Sequence, residues 1–262
     1  MNIENKELYV KELAPHLYLM DEAHESTGYV VVGEDRACVI DTMMGYNDIK
    51  AAVRRITNKP LTVVNTHGHP DHIYGNVYFD EAYIHPNDIP TAKEHMQNSV
   101  FVEWCNFRGI KMPPFKRICG GDVINLGGKT LKVYDLPGHT KGGILLLLEE
   151  DRILFTGDSI NHHLWMQLPG SLPLPEFLKE LDKVMFLAKD ADLILHGHAR
   201  DFDDISLMGC VRRGVEEICN GQTDGDTPYQ WFGGTAFQHA FSVLPGRHYQ
   251  QDDHVICYNR PV

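Results

Sequence analysis

At 262 residues with 43% hydrophobic side chains, the chain is long enough to bury a sizeable core and is not composed like a disordered polymer. Its formal charge of −12 excludes a protein that grips nucleic acid through clustered Lys and Arg, although not one acting on a small phosphodiester. Glu4, Lys6, Glu7, Lys11 and Glu12 interrupt the start of the chain, so no export signal is read there; no run reaches membrane-span length, and a cytoplasmic setting without a membrane partner is expected.

In chain order, short apolar runs bounded by turn residues predict strands over 29–32, 37–40 and 61–64, then over 131–134, 144–148, 152–155 and 193–195. Helical spacing predicts helices over 47–56, 88–107, 175–188 and 205–218. The run 144–148 is apolar throughout, as a strand covered on both faces would be. This alternation implies a layered α/β architecture with helices covering sheets. The whole chain, 1–262, reads as one domain with an aromatic, Gly-rich extension from about residue 221, which carries Tyr229, Trp231, Phe232, Phe237 and Phe241. Strands are predicted there over 241–244 and 255–258. Phe101, Trp104, Phe107 and Phe115 fit either a lid or, better, a helix packed on the core. The six cysteines form no C-x-x-C pair, which fits reduced, mostly buried thiols.

The chemistry concentrates where strands end. His67-Gly68-His69-Pro70-Asp71-His72 follows the apolar run 61–64 and packs three imidazoles and a carboxylate into six positions. Imidazole and carboxylate together suit Zn, with Fe or Mn as alternatives. His139, Asp158 and His198 are each the first side chains of ligand type after a later apolar run. Ends of neighbouring strands meet at one sheet edge, so all of these side chains can converge. His67 and His69, two apart on extended chain, point the same way. Pro70 then turns the backbone before Asp71 and His72. No G-x-S-x-G is present for a serine hydrolase.

The ordered set Thr66-His67-Gly68-His69-Pro70-Asp71-His72, Pro137-Gly138-His139-Thr140, Gly157-Asp158 and Gly197-His198 resembles the metallo-β-lactamase superfamily. So does Val39-Ile40-Asp41-Thr42, with Met43 where that family has Gly. The resemblance implies a four-layer αββα sandwich and two divalent metal ions. It assigns His67, His69 and His139 to the first ion, Asp71, His72 and His198 to the second, and Asp158 to both. His198 matches the family's late ligand and His196 takes the position of its proline. Asp41 matches a buried carboxylate that orients a ligand imidazole, or else is a strand-end cap.

A hydroxide shared by two ions would be the nucleophile. The absence of an export signal and the presence of Asp158 set the chain apart from the lactamases proper, and His69 sets it apart from oxygen-reducing di-iron relatives. What the resemblance then implies is a dinuclear hydrolase of a small ester, thioester or lactone. A phosphodiesterase on the same ions and a non-catalytic metal- or ligand-binding module are the alternatives. Asp71 and His163 are the candidate catalytic groups; His162 or His163, just after Asp158, would touch substrate or protonate a leaving group. Tyr229, Trp231 and Phe232 line a pocket or a contact between copies.

Overall fold

The computed structural model describes residues 6–260; residues 1–5 and 261–262, the two ends of the expected domain, lie outside the described residues. Seven strands form one sheet in sequential order: β1 (Leu8–Ala14), β2 (Leu17–Glu22), β3 (Ser26–Val32), β4 (Ala37–Ile40), β5 (Leu61–Val64), β6 (Ala82–Ile84) and β7 (Phe115–Arg117). A second sheet contains β8 (Val123–Asn125), β9 (Thr130–Asp135), β10 (Ile144–Leu148) and β11 (Ile153–Gly157). After β12 (His163–Trp165), β13 (Leu193–His196) and β14 (Asp203–Asp204) complete that second sheet in the order β14-β13-β11-β10-β9-β8. The aromatic segment forms β15 (Thr227–Trp231), β16 (Gly234–Ala240) and β17 (Val255–Tyr258), which join β12 in a third sheet.

The two-residue period of β10 sets the layers. Ile144, Leu146 and Leu148 share one core with Leu17, Tyr29, Val31, Ile40 and Val64, and so lie between the two large sheets. Leu145 and Leu147 face the other way, into a core built with Phe177 and Leu181 of α5 (Leu174–Val184) and Leu207, Val211 and Val215 of α6 (Leu207–Cys219). On the far side, Val30, Val39 and Val63 of the first sheet bury Ile49 and Val53 of α1 (Ile49–Ile56). The result is helix, sheet, sheet, helix: the four-layer sandwich.

Two predicted elements differ. The helix expected over 88–107 is broken into α3 (Ile89–His95) and α4 (Ser99–Arg108), with a helical turn α2 (Pro70–Ile73) beneath them. Asn98 divides the pair, because its side chain accepts from Val100 N and Phe101 N and so starts a new helix. Phe101 and Trp104 of α4 pack on Ile73 and Tyr74, as a helix against the core. The strand expected over 241–244 lies earlier, at Gly234–Ala240. Its register with β17 ends at Ala240 opposite Val255, which leaves the next residues without a partner strand. All six cysteines are free thiols. Among the described residues no helix is long and apolar enough to cross a membrane.

Candidate metal centre

β9 and β11 both run antiparallel to β10, and β13 runs parallel to β11. Their C-terminal ends therefore share one edge, where Leu136–His139, Asp158 and Gly197–His198 leave the sheet. The facing sheet delivers Thr66–His72 from the end of β5, and the two are joined where Ile144 N donates to Thr66 O at 2.9 Å. The chain thus brings seven side chains, from four separate segments, into two adjoining groups.

The first group is His67, His69 and His139; the second is Asp71, His72, Asp158 and His198. In the first, His69 Nδ1 lies 3.1 Å from His67 Nε2 and 2.9 Å from His139 Nε2. In the second, Asp158 Oδ2 lies 3.1 Å from His198 Nε2 and 3.5 Å from His72 Nε2. The same oxygen is 3.7 Å from His139 Nε2, so Asp158 stands at the seam of the two groups. Asp71 Oδ2 closes the second group, 3.5 Å from His72 Nε2 and 3.7 Å from His198 Nε2. Gly197 is required by this closeness: a Cβ there would run into Asp158 Oδ1 and His72 Cε1.

Neighbouring acceptors dictate which ring nitrogen carries the proton. His139 Nδ1–H donates to the Trp165 carbonyl at 2.7 Å, and His198 Nδ1–H to the Glu25 carbonyl at 2.8 Å. His72 Nδ1–H donates to Asp41 Oδ2 at 2.9 Å. Thr66 Oγ1 gives its own proton to Asp41 Oδ2 at 2.7 Å and so accepts from His67 Nδ1–H at 3.1 Å. In each neutral ring the Nε2 lone pair is left pointing inward. His72 Nε2 and Asp158 Oδ1 are buried with no hydrogen-bond partner. Converging lone pairs without donors are what cations satisfy, so the donor set fits metal ions.

The electrostatics separate the two groups. Burial lowers the pKa of His67, His69 and His139, which keeps those imidazoles neutral and basic toward a cation. For His72 and His198 burial pulls the same way, but nearby carboxylates outweigh it: Asp71, Asp158 and Asp41 raise His72, and Asp158 and Asp71 push His198 up to about 9. Asp71 and Asp158 are themselves held below the usual carboxylate range by those imidazoles, against the effect of burial.

Three carboxylates outside the two groups hold the loops in place. Asp41, at φ 58, uses both oxygens: Oδ1 accepts from Thr66 N at 2.7 Å, and Oδ2 takes Thr66 Oγ1 and His72 Nδ1. Its Asn variant would present an amide N–H to an N–H. Asp41→Asn is expected to weaken metal binding about 10–100-fold, the usual effect of removing such a partner. Competition with a chromophoric chelator measures this, and unchanged affinity would count against the role.

Asp88 carries no sequence signal. Buried after β6, it accepts from Gly68 N at 2.8 Å, Gly142 N at 2.6 Å and Thr140 Oγ1 at 2.7 Å, tying the His67–His69 loop to the His139 loop. Asp203 gathers a third, fully buried cluster. His162 Nε2 donates to its Oδ1 at 2.9 Å, Gln250 Nε2 to its Oδ2 at 2.6 Å, and His196 Nε2 lies 3.4 Å away. None of the buried polar atoms of His162, His196 or Asp203 lacks a partner, unlike those of the second group. This cluster is therefore a hydrogen-bond network linking the segments after Asp158 and before His198 to the C-terminal chain. His163 stands outside both metal-type groups. It lies on β12 with Nε2 3.3 Å from Cys257 Sγ and its ring 5.3 Å from that of Tyr229, and burial lowers its pKa. Trp165, Tyr229, Trp231 and Phe232 form one aromatic cluster beside it.

The sequence profile described as the metallo-beta-lactamase superfamily matches residues 23–218. The chain belongs to the metallo-β-lactamase superfamily. An acyl-coenzyme A thioesterase, MBLAC2 of Gallus gallus, is 29% identical over 180 residues, covering 57% of this chain and 65% of the relative. A hydroxyacylglutathione hydrolase of Hyphomonas neptunium is 30% identical over 140 residues, covering 52% of this chain and 48% of the relative. The matches thus span less than two thirds of either relative's length. Among solved structures, a metallo-β-lactamase from Erythrobacter litoralis superposes with a TM-score of 0.62 at 19% identity, covering 80% of this chain and 97% of that one. A metallo-β-lactamase family protein from Thermus thermophilus superposes with a TM-score of 0.57 at 22% identity, covering 82% of this chain and 85% of that one. These superpositions speak for the fold.

Proposed function

We propose that this member of the metallo-β-lactamase superfamily is a dinuclear metal hydrolase acting on a small ester, thioester or lactone, with thioesters first. The observation that carries the reading is the pair of adjoining groups that share Asp158. His67, His69 and His139 would hold one divalent ion; Asp71, His72 and His198 the other; Asp158 both. Zinc suits an all-nitrogen-and-oxygen set, and iron or manganese are the alternatives. When bound, two such ions supply Lewis acidity and lower the pKa of water toward neutrality.

The chain's own groups supply position and proton handling. Asp41, the Trp165 carbonyl and the Glu25 carbonyl fix the ring orientations. Asp71, held ionised by His72 and His198, is our candidate to take a proton within the site. His163, whose pKa burial lowers, is our candidate to hydrogen-bond the substrate or its leaving group. The thioester preference draws on the two relatives named for acyl-coenzyme A and hydroxyacylglutathione. Six free thiols accord with the reducing cytoplasm we assign to the protein.

A panel of thioesters, lactones, simple esters and bis-p-nitrophenyl phosphate, run on zinc-loaded protein, tests this. Thioester turnover well above phosphodiester turnover is expected. Phosphodiester turnover that exceeds all others would replace the reading with a phosphodiesterase. Two bound metals with no turnover on any substrate would replace it with a binding module.

A further inference from the structure

Beside the second group of ligands lies a pocket of about 230 Å³ lined by Met44, Tyr46, Pro70, Tyr74, Phe101 and Trp104, with Asn98 and Val100 at the start of α4. Its wall is built partly from the ligand loop itself: Pro70 separates His69 from Asp71, and Tyr74 follows His72 by two residues. The polar atoms of the lining are mostly engaged elsewhere. Tyr46 Oη donates to Glu25 Oε2 at 2.8 Å and Tyr74 Oη to the His95 carbonyl at 2.8 Å, while Asn98 Oδ1 caps α4. Trp104 Nε1 is buried without a partner, and it is a donor only. One lone donor cannot hold ordered water, which needs two to four polar partners. The aromatic faces of Tyr74 and Phe101 are stacked 3.8 Å apart, so this wall is formed before anything binds.

We infer that this pocket takes the hydrocarbon chain of the substrate's acyl group, an inference that rests on the thioester reading above. The chemistry of the lining selects the occupant: a flexible apolar chain needs no hydrogen bonds, and it ends at a carbonyl that must reach the ligand loop bordering the pocket. At ~30 Å³ for each water-sized unit, the volume corresponds to a chain of roughly six to eight carbons. Each methylene buried there is worth roughly a factor of three to four in binding. Medium-chain acyl groups are therefore distinguished from acetyl by this pocket and not by the ligand set.

Val100 tests this without touching the ligands. It is half-buried at the pocket's edge, in the first turn of α4, where a larger side chain fills space rather than opening a cavity. For the zinc-loaded full chain, kcat/KM on coenzyme A thioesters is expected to rise at least tenfold from acetyl to octanoyl. Val100→Trp is expected to cut the octanoyl value at least tenfold and leave the acetyl value within twofold; the acetyl activity also certifies the fold. In parallel, S-octyl-coenzyme A, a thioether that cannot be hydrolysed, is titrated calorimetrically into protein without added metal. Val100→Trp is expected to weaken its binding by a similar factor. Equal kcat/KM at all chain lengths, or a Val100→Trp effect of the same size on acetyl and octanoyl, would overturn the pocket assignment while leaving the thioesterase reading intact. S-octyl binding that is sensitive to Val100→Trp, with no thioester hydrolysed at any length, would keep the pocket and overturn the thioesterase reading.

Discussion

Asp158→Ala is expected to lower kcat/KM at least about a thousandfold, on the order of 4 kcal/mol in transition-state stabilisation. For the dinuclear centre proposed above, elemental analysis should fall from two metal equivalents to one or fewer. Asp158 Oδ2 is the atom within reach of both groups, 3.1 Å from His198 Nε2 and 3.7 Å from His139 Nε2. Without it, five imidazoles face each other across the seam with only Asp71 to balance a second cation. The fold should survive, because the buried Oδ1 has no hydrogen-bond partner and Oδ2 gives up only the His198 Nε2 contact within the site. Retained activity together with two bound metals would refute the shared-ligand assignment. Loss of metal, with the thermal stability of the metal-free protein unchanged, is the result that separates a ligand from a structural residue.

Asp88→Ala should act mainly on stability, and through it on the site. The substitution strips acceptors from Gly68 N–H, Gly142 N–H and the Thr140 hydroxyl, all in buried surroundings. Each donor orphaned in this way costs about 1–3 kcal/mol, so a total of several kcal/mol is expected, out of a total stability of only about 5–15 kcal/mol for a typical domain. For a chain of this size that corresponds to a fall in Tm of roughly 10 °C or more, readable by calorimetry on the metal-free protein. Because the same three bonds hold the His69 and His139 loops together, metal affinity should fall with stability. A Tm within about 2 °C of wild type would show that water replaces the carboxylate at no cost.

Much of this architecture is legible in the amino-acid order, for specific reasons. The strands over 37–40, 61–64 and 144–148 are readable because parallel and sandwiched strands are apolar on both faces. The ligand candidates are readable because they are adjacent in sequence or follow such a strand directly. What stays hidden is what acts across long sequence distances or through backbone. Asp88 sits in Pro86-Asn87-Asp88, a stretch with the look of an ordinary turn, and nothing in it announces Gly68 or Thr140 as partners. The carbonyls of Trp165 and Glu25 orient two imidazoles, yet a carbonyl carries no side-chain signal at all. β1 escapes a reading by periodicity because much of its length is solvent-exposed on the sheet edge. The break at Asn98 escapes it because the apolar spacing continues through that residue; a single side-chain cap decides it.

The ligand segments are also spread along the chain, from His67 to His198, 131 positions apart by subtraction. At the usual pace of synthesis, about 5–20 residues per second, the last ligand emerges roughly 7 to 26 s after the first. For about the first two thirds of that interval His67, His69, Asp71 and His72 have no Asp158 to face, and β13 of the second sheet is not yet made. The second group is thus completed only after residue 198 has been made, and a nascent or truncated product ending before it carries the opening motif without a complete second group.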